Sequence, residues 1–282
     1  MLELHEKINI PGFLTIAEAW TLSKKEEDDL EAIEIQALKA IFDLPIHTPT
    51  PAIIYIFGLL FTRQRIDQKQ LSFLHKVLNR QTTHCTRRTL EALEEKNIGW
   101  GKNIKNTLEK YNLPTDFQTV KNIPAQEWKR KTRISIEKEN LVKIRQLCYK
   151  TTNDISKIKT KTKTVAEAID APDYQRKPQP EILNSTKQEA KTIIIARYRM
   201  LECGSNYKGT LKEICKDCNT IDNEDHRISY CKKWDSINYT KRDDKKDFTM
   251  IYSHDITIIR EILPVIEKIW NTKNAHGTMN LI

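Results

Sequence analysis

Cys215, Cys218, His226 and Cys231 are the residues of this chain whose types and spacing best suit chemistry, reading C-x2-C-x7-H-x4-C within seventeen residues. Two cysteines separated by two residues form a tight knuckle with both sulfurs turned toward one point. A histidine and a third cysteine complete a tetrahedral shell of three sulfurs and one nitrogen, which zinc accepts. The stretch between Cys218 and His226, residues 219–225, is mostly polar (Asn, Thr, Asp, Glu), as expected of a loop tied at both ends. In an ideal helix positions five apart lie about 140° apart in azimuth, so a helical turn starting at His226 must deform before Cys231. The expectation is one structural Zn2+ on these four residues. The alternative is a set of reduced core cysteines that happen to share the spacing. A catalytic zinc keeps an open coordination position, whereas four ligands from the chain close the shell. The pattern therefore points away from an enzyme.

Other catalytic constellations are missing from the sequence. There is no glycine-rich phosphate loop, no H-E-x-x-H and no G-x-S-x-G. Asp28-Asp29 and Asp243-Asp244 are adjacent carboxylates, but they lie in hydrophilic stretches and read as solvated surface. His47, His75, His84 and His254 are scattered without an obvious nucleophile or carboxylate partner, so packing or surface roles are expected. Cys85 and Cys148 fall in helical patterns and read as buried thiols; Cys203 is a weak spare ligand. Six cysteines without a secretory signal argue for a reducing compartment, nuclear or in a cytoplasmic ribonucleoprotein. The longest apolar run, residues 52–61, is about half a membrane span.

Charge is unevenly distributed. Residues 1–60 carry four Lys/Arg against ten Asp/Glu, while residues 121–163 carry thirteen against four. The local excess of the second segment, +9, equals that of the whole chain. Such a block suggests a surface facing a polyanion, with RNA or DNA the leading partner. Lys129, Arg130, Lys131, Arg133, Lys143 and Arg145 would neutralise phosphates from a helix. Lys157, Lys159, Lys161 and Lys163 would do so from an arm. Arg197 and Arg199 add positive charge ahead of the cysteines. Arg227, Tyr230 and Trp234 could stack on unpaired bases. A solvated helix face followed by a lysine-rich linker is the other reading.

These groups need elements to hold them. Leu30, Ile33, Ala37, Ile41 and Leu44 recur at three and four, which predicts an amphipathic helix ending before Pro45, with Ser23 as a possible cap. Thr48-Pro-Thr-Pro51 starts a helix over residues 52–60, apolar nearly all round and so buried. Helices follow over residues 66–78, facing inward through Leu71, Leu74 and Leu78, and over residues 86–96. A turn at residues 97–101 leads to a short helix ending at Pro114. A long basic helix runs from Ala125 to about Tyr149, its apolar side built by Trp128, Ile136, Leu141, Ile144 and Leu147 or Cys148. KIKTKTKT, residues 157–164, reads as a mobile linker or backbone-contacting arm. A helix capped by Ser185 or Thr186 runs to about Leu201. Ile256, Ile259, Leu263 and Ile266 mark a final helix bent at Pro264. The expected fold is mainly α: a helical bundle, a basic helical segment, and a small CCHC zinc-knuckle domain with a terminal helix. The expected divisions are 24–122, 123–184 and 185–282.

Several phrases together resemble one family. Ala17-Glu-Ala-Trp20-Thr-Leu-Ser-Lys-Lys, Leu30-Glu-Ala-Ile, Ile41-Phe-Asp-Leu-Pro45 and Thr48-Pro resemble the region after the palm of non-LTR, LINE-type retrotransposon reverse transcriptases. Gly58-Leu-Leu, Arg65-Ile66 and Leu71-Ser-Phe-Leu74 continue the pattern. Ala196-Arg-Tyr-Arg199, Gly204 and the Cys/His set are similar to the carboxyl-terminal zinc knuckle of those polyproteins. The resemblance implies that residues 1–23 are a palm edge and that residues from about 24 form the thumb. It implies a tail that grips RNA or DNA, and the rest of a polyprotein as a partner. The family's paired-aspartate polymerase turn finds no match, so the chain is expected to start downstream of it and to lack polymerase activity. Ala19 stands where relatives usually carry Thr. A zinc-stabilised scaffold for protein partners is the alternative from another class.

Overall fold

The computed structural model describes Leu14 and residues 22–149, 160–170, 176–198, 214–215, 217–223, 226–231 and 248–277. Among these, regular structure is helical, and extended pairing is confined to an isolated antiparallel bridge between Ile214 and Ile221. No helix among them is long and apolar enough to cross a membrane. The helices are α1 (Lys24–Ile41), α2 (Thr50–Ile56), α3 (Thr62–Leu78), α4 (Cys85–Glu95), α5 (Gly99–Lys110), α6 (Phe117–Asn122) and α7 (Ala125–Tyr149). Then follow α8 (Thr160–Ile169), α9 (Pro180–Leu183), α10 (Lys187–Arg197) and α11 (Ile256–Gly277). The chain forms two compact units: Met1–Leu38 with Leu59–Lys150, and Lys39–Gly58 with Thr151–Ile282.

In the first unit, α3 packs against α4, α5, α6 and α7. Its expected inward leucines, Leu71, Leu74 and Leu78, are at most 1% exposed and join Leu90, Leu108, Phe117 and Ile136 in one core. Trp128 of α7 enters the same core, where its indole N–H donates to the Leu71 carbonyl (2.9 Å). The His75 ring stacks on it. This anchoring is why the basic helix belongs to the bundle and not to a separate segment beginning at 123. The buried positions of α7 are Trp128, Thr132, Ile136, Asn140, Ile144 and Cys148, one every fourth residue. Two of them are polar. Thr132 satisfies its hydroxyl on the Trp128 carbonyl, and Asn140 Nδ2 donates to the Leu59 carbonyl.

The buried face of α1 is not the expected one. Glu34, Ile35 and Leu38 are buried, while Ile33 is 48% exposed. A paired carboxylate explains the rotation: Glu34 accepts from Thr62 Oγ1 (2.7 Å) and Arg65 Nη1 (2.5 Å), so it can be buried without an orphaned charge. Ser23 does cap this helix, since its hydroxyl accepts from Glu26 N and Glu26 returns a bond to Ser23 N. Cys148 is buried as expected, but Cys85 is exposed at the first turn of α4.

In the second unit, α2 is buried nearly all round and packs against α8. This pairing places residues 39–58 with the carboxyl-terminal part. It also corrects the expected arm: residues 160–164 begin a helix because Val165, Ala166 and Ile169 downstream bury one face. Gly58 ends the turn after α2 at φ +60°, and a Cβ there would lie 2.4 Å from the Lys177 carbonyl carbon. Thr186, not Ser185, caps α10, through a reciprocal box with Glu189. Helix α11 continues through Pro264, burying Ile259, Ile262, Leu263, Ile266 and Ile269, and packs on α10.

Candidate metal centre

The four expected ligands converge. One ligand atom from each of Cys215, Cys218, His226 and Cys231 lies within 4.8 Å of all the others. Cys215 Sγ is 3.7 Å from Cys231 Sγ, and Cys218 Sγ is 3.9 Å from it. In a tetrahedron with metal–sulfur bonds of about 2.3 Å, the sulfur–sulfur edge is about 3.8 Å. The separations therefore suit a bridging ion, and none of the three cysteines is in a disulfide.

Local sequence builds the first half of the site. The bridge between Ile214 and Ile221 closes a hairpin in which Cys215 N–H donates to the Thr220 carbonyl (2.8 Å). Asn219 N–H donates back to the Cys215 carbonyl (2.8 Å). Asn219 takes a left-handed φ of +54°, a conformation asparagine tolerates better than most residues, and this turns the knuckle. The second half is a single π-helical turn, His226–Tyr230. Asn223 starts it: its side-chain oxygen accepts from His226 N (2.7 Å) and its carbonyl from Arg227 N (3.0 Å). A π-turn closes i→i+5 bonds instead of i→i+4. It advances fewer degrees per residue and so returns Cys231 to the side of His226. The deformation demanded by the five-residue spacing takes this form.

His226 supplies the clearest sign that the cluster suits a ligand. Its Nδ1 is 3.0 Å from Thr220 Oγ1, while Nε2 is buried with no hydrogen-bond partner. A buried ring nitrogen without a partner costs about 1–3 kcal/mol unless something occupies its lone pair. One nitrogen of this ring lies within 4.8 Å of a sulfur from each of the three cysteines, donors of a kind that soft and borderline cations take. The residues fit a metal ion, and the cluster can hold one. Thr220 and Asn223 escaped sequence reading, because a polar loop of this composition looks uniformly solvated.

The expected nucleic-acid residues fare unevenly. Lys129, Arg130 and Arg133 are exposed on α7, within about 100° of arc, and Arg145 is exposed near its end. Lys131 pairs with Glu127 one turn back (2.9 Å). Lys143 pairs with Glu31 (3.2 Å) and lies over the Phe61 ring. Arg197 and Arg227 are corrected. The Arg197 guanidinium is buried, paired with Glu181 and bonded to the carbonyls of Ile251 and Ser253, so it fastens the fold. Arg227 is buried and grips both oxygens of Asp222, bolting the ligand loop to the π-turn. Neither is presented to a base. Tyr230 is 58% exposed. Lys161 and Lys163 fall in the first turn of α8. Lys157, Lys159, Arg199 and Trp234 lie outside the described residues, as does Cys203.

Fold and site together define a mainly helical protein with a Cys3His cluster that can take a metal ion. No protein-family model, curated protein or solved structure matches the chain.

Proposed function

We propose that the cluster holds one structural Zn2+ ion and that the chain is a nucleic-acid-binding protein. On this reading it corresponds to the carboxyl-terminal region of a LINE-type reverse transcriptase, without the polymerase site. Three sulfurs and one imidazole nitrogen favour zinc over hard cations, and a shell filled by the chain leaves no position for substrate. The ion would tie the hairpin at Cys215 and Cys218 to the turn carrying His226 and Cys231.

The outward cationic arc of α7 carries the nucleic-acid reading. Lys129, Arg130 and Arg133 are exposed, while Trp128, Thr132 and Ile136 of the same helix are buried. The helix is thus held rigidly by one face and offers charge on the other. About four phosphate contacts on a single strand give a log–log salt slope near −3, or roughly fifty-fold weaker binding for a four-fold rise in salt. Filter binding of single-stranded RNA at two salt concentrations tests this. Replacing Lys129, Arg130, Lys131 and Arg133 by Gln should weaken binding to all sequences alike. Wild-type affinity indifferent to salt would defeat the reading.

A zinc-stabilised scaffold for a protein partner draws on one feature. Ile214 and Ile221 face each other across the bridge and are 52% and 64% exposed on the metal hairpin. A purified chain that shows no retention of RNA in size-exclusion chromatography would favour that role.

A further inference from the structure

His226 stands between two unlike partners. Nδ1 meets the Thr220 hydroxyl at 3.0 Å, Nε2 is buried without a hydrogen-bond partner, and the ring belongs to the cysteine cluster. A neutral imidazole carries one N–H and one lone pair, and the hydrogen bond made by one nitrogen decides which atom keeps the lone pair. A proton on Nε2 would leave a buried donor without an acceptor and would take from the cluster the nitrogen that Thr220 does not occupy. A proton on Nδ1 satisfies both sides at once.

Thr220 also belongs to the opposite half of the site. Its carbonyl accepts from Cys215 N, and its neighbour Ile221 forms the bridge to Ile214. The hydroxyl that meets His226 is therefore carried by the same hairpin that carries Cys215 and Cys218. We infer that Thr220 is the positioning residue of this centre: it accepts the Nδ1–H of His226, fixes the lone pair on Nε2, and docks the imidazole against the thiol hairpin before any metal arrives. This deepens the metal reading above and rests on it.

The test compares wild type, Thr220→Val and Thr220→Ser as full chains. Long-range 1H–15N spectra of the metal-free, reduced protein are recorded in mildly alkaline buffer, where an ordinary imidazole is neutral. The signal is assigned by its loss in His226→Gln. Wild type and Thr220→Ser should carry the proton on Nδ1, and Thr220→Val should show both tautomers. Zn2+ affinity by chelator competition should fall in Thr220→Val by about ten-fold, the lower end of the range for outer-shell partners, because Thr220 is exposed and water replaces part of its bond. Thr220→Ser should bind as wild type does, which separates the hydrogen bond from the lost methyl contact. A wild-type proton on Nε2, or equal Zn2+ affinity in wild type and Thr220→Val, overturns the role of Thr220. So does a Thr220→Ser chain as weak as Thr220→Val. A wild-type chain that takes up no Zn2+ overturns the metal reading itself, a separate result from equal binding.

Discussion

Arg260 of α11 places Nε 2.7 Å from Oε1 and Nη2 3.3 Å from Oε2 of Glu189, the residue that also closes the capping box of α10. One carboxylate thus serves two purposes, ending the orphaned amides of one helix and pairing with the next. The Arg260 hydrogen bond, helped by Thr186, holds the Glu189 carboxyl down at about 2, from an ordinary value of 4.5. Because the folded value lies below the unfolded one, the contribution is fully present above about pH 4.5 and is lost as pH falls toward about 2. Arg260→Gln should lower stability at neutral pH only slightly, since the arginine is 47% exposed and solvent screens the pair. Urea melts of both chains should differ less as pH falls below about 4.5 and converge toward about pH 2.

Asp67 offers a larger effect. It is fully buried, accepts from Tyr111 Oη (2.7 Å) and Lys110 Nζ (2.9 Å), and pairs with Arg63 (2.7 Å). Burial, with the Asp67 charge adding to it, pushes the Tyr111 phenol far above its usual range, so it remains a donor. Asp67→Ala should cost about 2–4 kcal/mol by stranding its partners, and Tyr111→Phe about 1 kcal/mol. Far-UV circular dichroism during urea unfolding reads both. Equal losses would show that Lys110 and Arg63 do not depend on the carboxylate.

Gly58 tests the second unit. Its left-handed φ strains any other residue, and an added Cβ would meet the Lys177 backbone at 2.4 Å, where no flexible side chain can give way. Gly58→Ala should destabilise by about 2 kcal/mol or more. It should also increase proteolysis near residue 177, measured by limited trypsin digestion and mass spectrometry. An unchanged melt and cleavage pattern would contradict the close approach.

The periodic apolar residues made most helices legible: Leu71, Leu74 and Leu78 point inward as their spacing requires, and Thr186 caps where a threonine before a helix should. What escaped were positions decided by distant partners. Glu34 is buried in place of Ile33 because Thr62 and Arg65 are there to receive it. Residues 160–164 become helical because of Val165 and Ile169 downstream and α2 more than a hundred residues upstream. The ligand set was readable from spacing alone. Its supports were not, since nothing in a string of polar residues singles out Thr220 or predicts that Asp222 will bury Arg227.

Zinc is the proposed keystone, and bound metal supplies on the order of 10 kcal/mol to the folding of small sites of this kind. Chelation should therefore melt the 214–231 module while α3 to α7 stay helical, and Cys218→Ser should do the same. Native mass spectrometry of the chain purified without added metal tests the account most directly. One Zn2+ per chain is expected, lost with a strong chelator and absent from Cys218→Ser. A chain that carries no stoichiometric metal, or keeps its metal in Cys218→Ser with unchanged affinity, would contradict it.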